Sequence, residues 1–361
     1  LLLAGSSAAA AQSIPAIAAE GGPQALDVSG YIQFRYTATF PEGEEAVIGF
    51  QLPRVRLKFT ADLSERLSVV VEGGLESGTM DLKDAFIRLS PNDGLNIRAG
   101  QYKLPFTRET IMADSSTLLI TPSTVNAVFG LGRGQGIAAS WEADRVRLMG
   151  SVSDGGGTDN TNYADPEEAG VALTARAELR LGQADWGRYN TFTSFRGSDP
   201  GVMIGAAVHW QGGEDGASPD EPGAPERFLA ATADISYEGD GHTAFLAGHW
   251  RRSDELGESY DDFGLVAHAG VFVSDRTELF GRYGVVFADG DRTGDDTFEE
   301  FAIGVNHYFI PESLAAKFSF ELAYHPDGTD DFELVSASSE RGLVAGDDAQ
   351  LTFRAQIQLM F

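Results

Sequence analysis

Arg54, Arg56 and Lys58 occupy alternate positions in the stretch 51–61. An extended chain puts all three on one face, about 7 Å apart. Like charges at that spacing repel unless anions or carboxylates meet them. Arg35, Arg88, Arg98, Arg147, Arg176, Arg180, Arg251, Arg282, Lys317 and Arg354 stand on similar polar faces, which they share with Glu72, Glu76, Asp84, Glu178, Asp234, Glu278, Glu300 and Glu321. Two kinds of chemistry fit. The cations could line a pore and favour anions, or each could pair across a wall and merely hold water. Catalysis finds little support. The six histidines (His209, His242, His249, His268, His307, His325) are scattered without metal-protease spacing, and no GxSxG occurs. Gly130 to Gly136 is glycine-rich but precedes a strand and lacks a lysine, so it suits turns rather than a phosphate cradle. No enzyme activity, cofactor or metal is expected.

The elements that must position these charges are strands. Ile32, Phe34, Tyr36 and Phe40 alternate with Gln33, Arg35, Thr37 and Thr39, and Val55, Leu57 and Phe59 alternate with the basic trio. Sixteen such strands are expected: 28–40, 51–61, 67–76, 80–90, 95–103, 134–142, 146–153, 169–181, 201–211, 227–238, 243–252, 262–272, 277–287, 298–309, 317–325 and 349–361. Short connections alternate with longer acidic ones around 41–48, 154–168, 212–226, 253–261, 289–297 and 326–347. Short turns at one end and long loops at the other describe an outer-membrane barrel, whose apolar face meets lipid. A soluble sandwich would bury that face against a second sheet. Two connections break the alternation: Gly182 to Pro200 is too long for a turn, and Glu76 to Thr79 is short for an outer loop.

Composition agrees. The 361 residues carry a formal net charge of −28, which argues against a nucleic-acid partner, and there is no Cys. Residues 1–12 have the apolar run and small residues of a signal-peptide remnant, 13–26 suit a flexible lead-in, and 27–361 suit one barrel domain. No apolar run is long enough for a membrane helix. The last strand alternates Leu351, Phe353, Ala355, Ile357, Leu359 and Phe361 with Thr352, Arg354, Gln356 and Gln358. Phe40, Phe50, Trp141, Tyr237, Trp250, Phe309 and Tyr324 fall near strand ends, where aromatic girdles sit.

One stretch stands apart. After the strand Leu95 to Lys103 the chain turns at Leu104-Pro105-Phe106 and runs to Arg133 with little alternation and few charges. Ile111, Met112, Leu118, Leu119, Ile120, Val125, Val128, Phe129 and Leu131 require burial, so this loop is expected to be ordered and packed into something hollow.

Several segments resemble the phosphate-selective porins of the O and P type. Gly49-Phe-Gln-Leu-Pro-Arg-Val-Arg-Leu-Lys-Phe-Thr60 is similar to the family's arginine-rich early strand, and Met80-Asp-Leu-Lys-Asp-Ala-Phe-Ile87 to its LKDAY-like strand. Asn96 to Glu109 is similar to its GQ-aromatic-K-x-PF signature, and the closing strand also fits. The resemblance implies a sixteen-stranded antiparallel transmembrane β-barrel in the bacterial outer membrane, usually a homotrimer in lipid. It also implies that the third outer loop, here Leu104 to Arg133, folds into the lumen as a constriction. The expected function is passive diffusion of small hydrophilic solutes, biased toward anions of the phosphate or polyphosphate type. Arg35, Arg54, Arg56, Lys58, Arg98, Lys103, Arg108 and Arg133 are the candidate pore-lining residues. The loop itself offers few cations and the outer loops are acidic, so phosphate selectivity is less secured than a channel. The alternatives are a structural or adhesive barrel with a closed lumen and cation-binding acidic loops, and a soluble carbohydrate-binding sandwich.

Overall fold

The computed structural model describes residues 23–76, 78–162, 170–212, 227–255 and 258–361. The signal-like residues, the outer-loop residues 163–169 and 213–226, and Ser77 lie outside that set, as do residues 256–257. Sixteen strands form one closed antiparallel barrel. They are β1 (Ala25–Pro41), β2 (Val47–Ser64), β3 (Leu67–Glu76), β4 (Thr79–Asn92), β5 (Leu95–Lys103), β6 (Arg133–Glu142), β7 (Val146–Ser153) and β8 (Val171–Gly182). The second half comprises β9 (Gly201–Gly212), β10 (Arg227–Gly239), β11 (His242–Glu255), β12 (Glu258–Ser274), β13 (Thr277–Phe287), β14 (Thr297–Tyr308), β15 (Ala316–His325) and β16 (Gln350–Met360). Each strand pairs with its sequence neighbours, and β1 closes on β16 from Tyr31↔Met360 to Pro41↔Gln350.

The hydrophobic pattern is inverted relative to a soluble protein. On β1, Gln33 and Arg35 are fully buried while Phe34 is 47% exposed. On β16, Thr352, Arg354, Gln356 and Gln358 are buried while Leu351, Ile357 and Leu359 are exposed. A belt of exposed Leu, Ile, Val and Phe therefore surrounds a polar interior, as a lipid-embedded barrel requires. This arrangement rules out the sandwich.

All sixteen expected strands are present, several of them extended beyond their expected limits. β2 starts at Val47 because 47–50 pair with 36–39 of β1, and Phe50 stacks on Phe34 at 5.5 Å. β11 and β12 continue to Glu255↔Glu258, so the long loop expected at 253–261 is not formed. Arg292, from the β13–β14 connection, holds that extension by bonding Glu255 and Asp262, each at 2.9 Å. The lead-in is also shorter than expected, since Ala25 and Leu26 already pair with Asp62 and Ala61.

Leu57 and Thr60 lie on opposite faces of β2, Leu57 outward and Thr60 inward. Leu57→Lys should destabilise the barrel by ~2–4 kcal/mol near mid-membrane. Thr60→Lys should leave the urea unfolding midpoint in lipid nearly unchanged and alter conductance instead. Equal destabilisation by both would reverse the facing assignment.

Candidate functional site

The β5–β6 connection contains two short helices, each set by a side-chain cap. Thr107 accepts from the Thr110 amide and starts α1 (Arg108–Ile111), and Ser123 accepts from the Asn126 amide and starts α2 (Thr124–Phe129). The Glu109 carboxylate ties the helices together, accepting from the Ser123 amide at 3.0 Å and its hydroxyl at 2.6 Å. Between them lies a 3₁₀ turn, Asp114–Ser116.

Inward side chains of distant strands satisfy this segment's backbone. Carbonyl oxygens accept from Arg176 at Phe106, Lys317 at Thr117, Asn306 at Leu118 and Gln358 at Ser115, all within 2.9–3.0 Å. Arg282 donates to the Thr121 carbonyl at 2.8 Å and Arg354 to the Thr121 hydroxyl at 2.8 Å. The amides of Ile120 and Thr124 donate to Glu321 and Glu300. These partners stand on β8 and β13–β16. Leu118, Leu119, Val125 and Phe129 pack with Phe245, Val266, Phe280 and Phe298 from β11–β14. The middle of the loop thus covers the far wall, while Leu104, Phe106 and Leu131 at its ends pack near its base with Val70, Phe86 and Ala138. Four histidines serve this packing. His209, His249, His268 and His325 are buried, each beside a phenylalanine ring at 4.5–5.7 Å between centroids.

The candidate cations divide by environment. Arg54, Arg56 and Lys103 converge on Asp114, at 3.3, 3.4 and 3.8 Å. Arg56 also meets Glu76 and lies 3.9 Å from Glu72, Arg54 also meets Glu340, and Arg133 bonds Asp84 at 2.7 Å. Arg35 is fully buried and donates to Gln356 and to the Glu340 carbonyl. Arg108, expected to face solute, is instead buried. It donates to the Tyr189 carbonyl at 2.6 Å, with its guanidinium over the rings of Tyr189 and Phe192. It is committed to packing because the 182–200 excursion occupies the space in front of it.

Lys58 and Arg98 differ from these. Both are half-buried, and Lys58, Arg88 and Arg98 make no ion pair among the described residues. Arg88 and Arg98 are cross-strand neighbours whose guanidinium carbons each lie 5.6 Å from the Phe86 ring centroid. They stand toward the short-turn ends of β4 and β5. On β2–β7 Arg54, Arg56 and Lys83 are buried, but Lys58, Glu72, Asp84, Arg88, Arg98 and Arg147 remain partly accessible, whereas the inward charges of β8–β16 are almost all buried. On that covered wall Arg176 pairs with Asp234 and Glu178, Arg282 with Glu300, and Arg354 with Glu321. Pairing of charges across the polar faces is thus observed on the β8–β16 wall.

Asp114 was not among the sequence candidates. Counting only the cations of the loop hid it, yet Glu109 and Asp114 are acids in a largely apolar stretch and both are structural hubs. Glu340 lies on the far loop 326–349, and nothing local in the sequence marks it.

A closed barrel with an apolar exterior, a charged interior and long loops at one end has the architecture of a bacterial outer-membrane porin. Residues 28–185, which span β1–β8, match the family described as phosphate-selective porin O and P. Likeness of fold to solved structures covers nearly the whole chain. An anion-selective porin from Comamonas acidovorans superposes with a TM-score of 0.65 at 14% identity, covering 93% of this chain and 99% of that one. OmpT of Vibrio cholerae gives 0.62 at 13% identity, covering 96% and 99%. The channel DcaP of Acinetobacter baumannii gives 0.61 at 11% identity, covering 94% and 99%. A trimer form of OmpT is also similar, with a TM-score of 0.60 at 15% identity over 93% and 99%. No curated protein matches the chain in sequence.

Burial opposes ionisation of Asp114, but Lys103, Arg54 and Arg56 hold its carboxyl well below the usual carboxylate range. A depressed folded value means its stabilisation is complete above the unfolded carboxylate pKa and is lost only as pH falls through the depressed one. Salt-gradient reversal potentials should therefore stay flat on Asp114's account from pH 8 down to about 4. Asp114→Asn should shift them toward anions and make the 104–131 loop easier to cleave by protease. An unchanged potential would mean that Arg54, Arg56 and Lys103 do not sense the permeating ion.

Proposed function

We propose that this porin passes small hydrophilic solutes passively with a bias toward anions, and that Lys58, Arg88 and Arg98 carry the bias. The supporting observation is the pair Arg88 and Arg98, set against one phenyl ring and making no ion pair among the described residues. Two guanidinium groups left that way attract an anion, and phosphate suits them through bidentate bonding. The upper layer contributes less. There Arg54, Arg56, Lys103 and Arg133 face Asp114, Glu72, Glu76, Asp84 and Glu340, so their charge is matched by acids. That balance favours a general anion bias over a dedicated phosphate filter. We read the 104–131 segment as the constriction, because the far-wall side chains of β13–β16 hold its backbone.

The acidic outer rim works against anion entry. Glu42, Glu44, Glu45, Asp330, Asp347 and Asp348 line one recess of 370 Å³ there. Asp347 pushes the Asp331 carboxyl up by like-charge repulsion, with the other neighbouring acids adding to it. Salt screens such charges beyond about 8–10 Å, so the rim sets the approach more than the passage. The trimer form of OmpT is the precedent for reading this barrel as a homotrimer in lipid. The well-covered wall of β8–β16 also favours a second reading, a structural barrel with a closed lumen.

Planar bilayers decide between the two. A conducting, anion-preferring channel is expected, and Arg88→Gln with Arg98→Gln should lower the anion-to-cation permeability ratio by about twofold or more. Cation preference in the unsubstituted protein would refute the bias, and absence of any conductance would establish the closed barrel.

A further inference from the structure

The connection between β8 and β9 lies at the short-turn end, where the other six links are brief, yet it carries residues 183–200. It is not a surface loop. Trp186, Tyr189, Phe192 and Phe195 recur every third residue and all are buried. Asp185 caps a 3₁₀ turn, Trp186–Asn190, by accepting from the Arg188 amide. Trp186 donates to the Ala143 carbonyl at 2.8 Å, in the β6–β7 turn, with the Arg147 guanidinium 4.4 Å above its ring.

The segment then travels to the opposite side. Phe192 packs on Phe245 and His268, at 4.9 and 4.5 Å between centroids. Thr193 is 3.1 Å from the Tyr308 hydroxyl, and Phe195 packs on Phe272 and Tyr308 at 5.3 and 5.1 Å. The Gly241 amide donates to the Phe195 carbonyl at 3.2 Å, and the Gly197 amide to Asp240 at 2.6 Å, both in the β10–β11 turn. From the β6–β7 turn it therefore reaches the ends of β10–β12 and β14. Midway it meets the other inward segment, where the Ser116 carbonyl accepts from the Phe192 amide and the Thr191 hydroxyl, each at 3.2 Å. Between the two segments and the wall lies a cavity of 320 Å³, lined by Arg108, Met112, Arg147, Glu178 and Asn190 among others.

We propose that residues 183–200 form a second constriction of the channel, set from the short-turn end, with Asn190 facing the solute path where that segment meets the 104–131 loop. The proposal rests on the porin reading. The segment closes the barrel mouth beneath β10–β14 and leaves permeating solute the wall of β2–β7, where Lys58, Arg88 and Arg98 stand. The inward segments then act in series, and the narrower of them sets the size limit.

The native chain contains no cysteine, so a single introduced thiol reports its position without interference. Asn190→Cys, reconstituted in planar bilayers, is treated with an anionic methanethiosulfonate reagent. Asp199→Cys, exposed on the same segment away from the cavity, is the control. Modification at 190 should cut single-channel conductance by about half or more and lower anion preference, with little change at 199. Replacing 183–200 by a four-residue turn should raise conductance and admit larger sugars in liposome swelling. If position 190 fails to label in open channels, or labels without changing current, the second constriction is wrong while the porin reading stands. If the unsubstituted protein conducts no current, the porin reading itself fails.

Discussion

A strand immersed in lipid has only other strands to bond with, and every other feature of this molecule follows from that constraint. The ladder must close, so β1 meets β16 and no edge remains. Closure turns one face of each strand to hydrocarbon and the other to an interior too wide for its own side chains to fill. The interior must then be occupied by water, by charge pairs or by inserted chain, and this barrel shows charge pairs and inserted chain.

Their distribution is uneven. Along β8–β16 the inserted segments replace water as the hydrogen-bond partners of Lys317, Asn306, Arg282, Glu300 and Glu321. A buried charge would otherwise be costly, and Lys317, Arg282, Glu300 and Glu321 are each met by a backbone dipole or an opposite charge. Along β2–β7 the cover is partial: Asp114 meets Arg54, Arg56 and Lys103, while Lys58, Arg88 and Arg98 stay half-buried. On the proposed reading the solute path is eccentric, and its chemistry belongs to six strands rather than sixteen.

The sheet was legible in the sequence because alternation is a local signal that survives any register. The burial of 104–131 was legible for a similar reason, since Leu118, Leu119, Val125 and Phe129 had to pack on something. The partners were not legible. Arg54 finds Asp114 about sixty residues later and Glu340 nearly three hundred later, at distances only the closed barrel brings together. Arg108 illustrates the converse. A cation in a pore loop suggested contact with solute, but the 183–200 excursion covers it. That excursion carried its own clue, four aromatic residues at a spacing of three, which has no use on a solvated turn.

Gly182 and Gly201 remain paired across the base of the excursion, so β8 and β9 form a complete ladder before the chain departs and after it returns. The ends of the segment are held together by the sheet, and the entropic cost of closing it rises only slowly with its length. Insertions and deletions there leave strand number, register and the lipid-facing belt untouched. The bore of this barrel can thus diverge between descendants by lengthening or trimming one connection, while the membrane-spanning wall stays under unchanged selection.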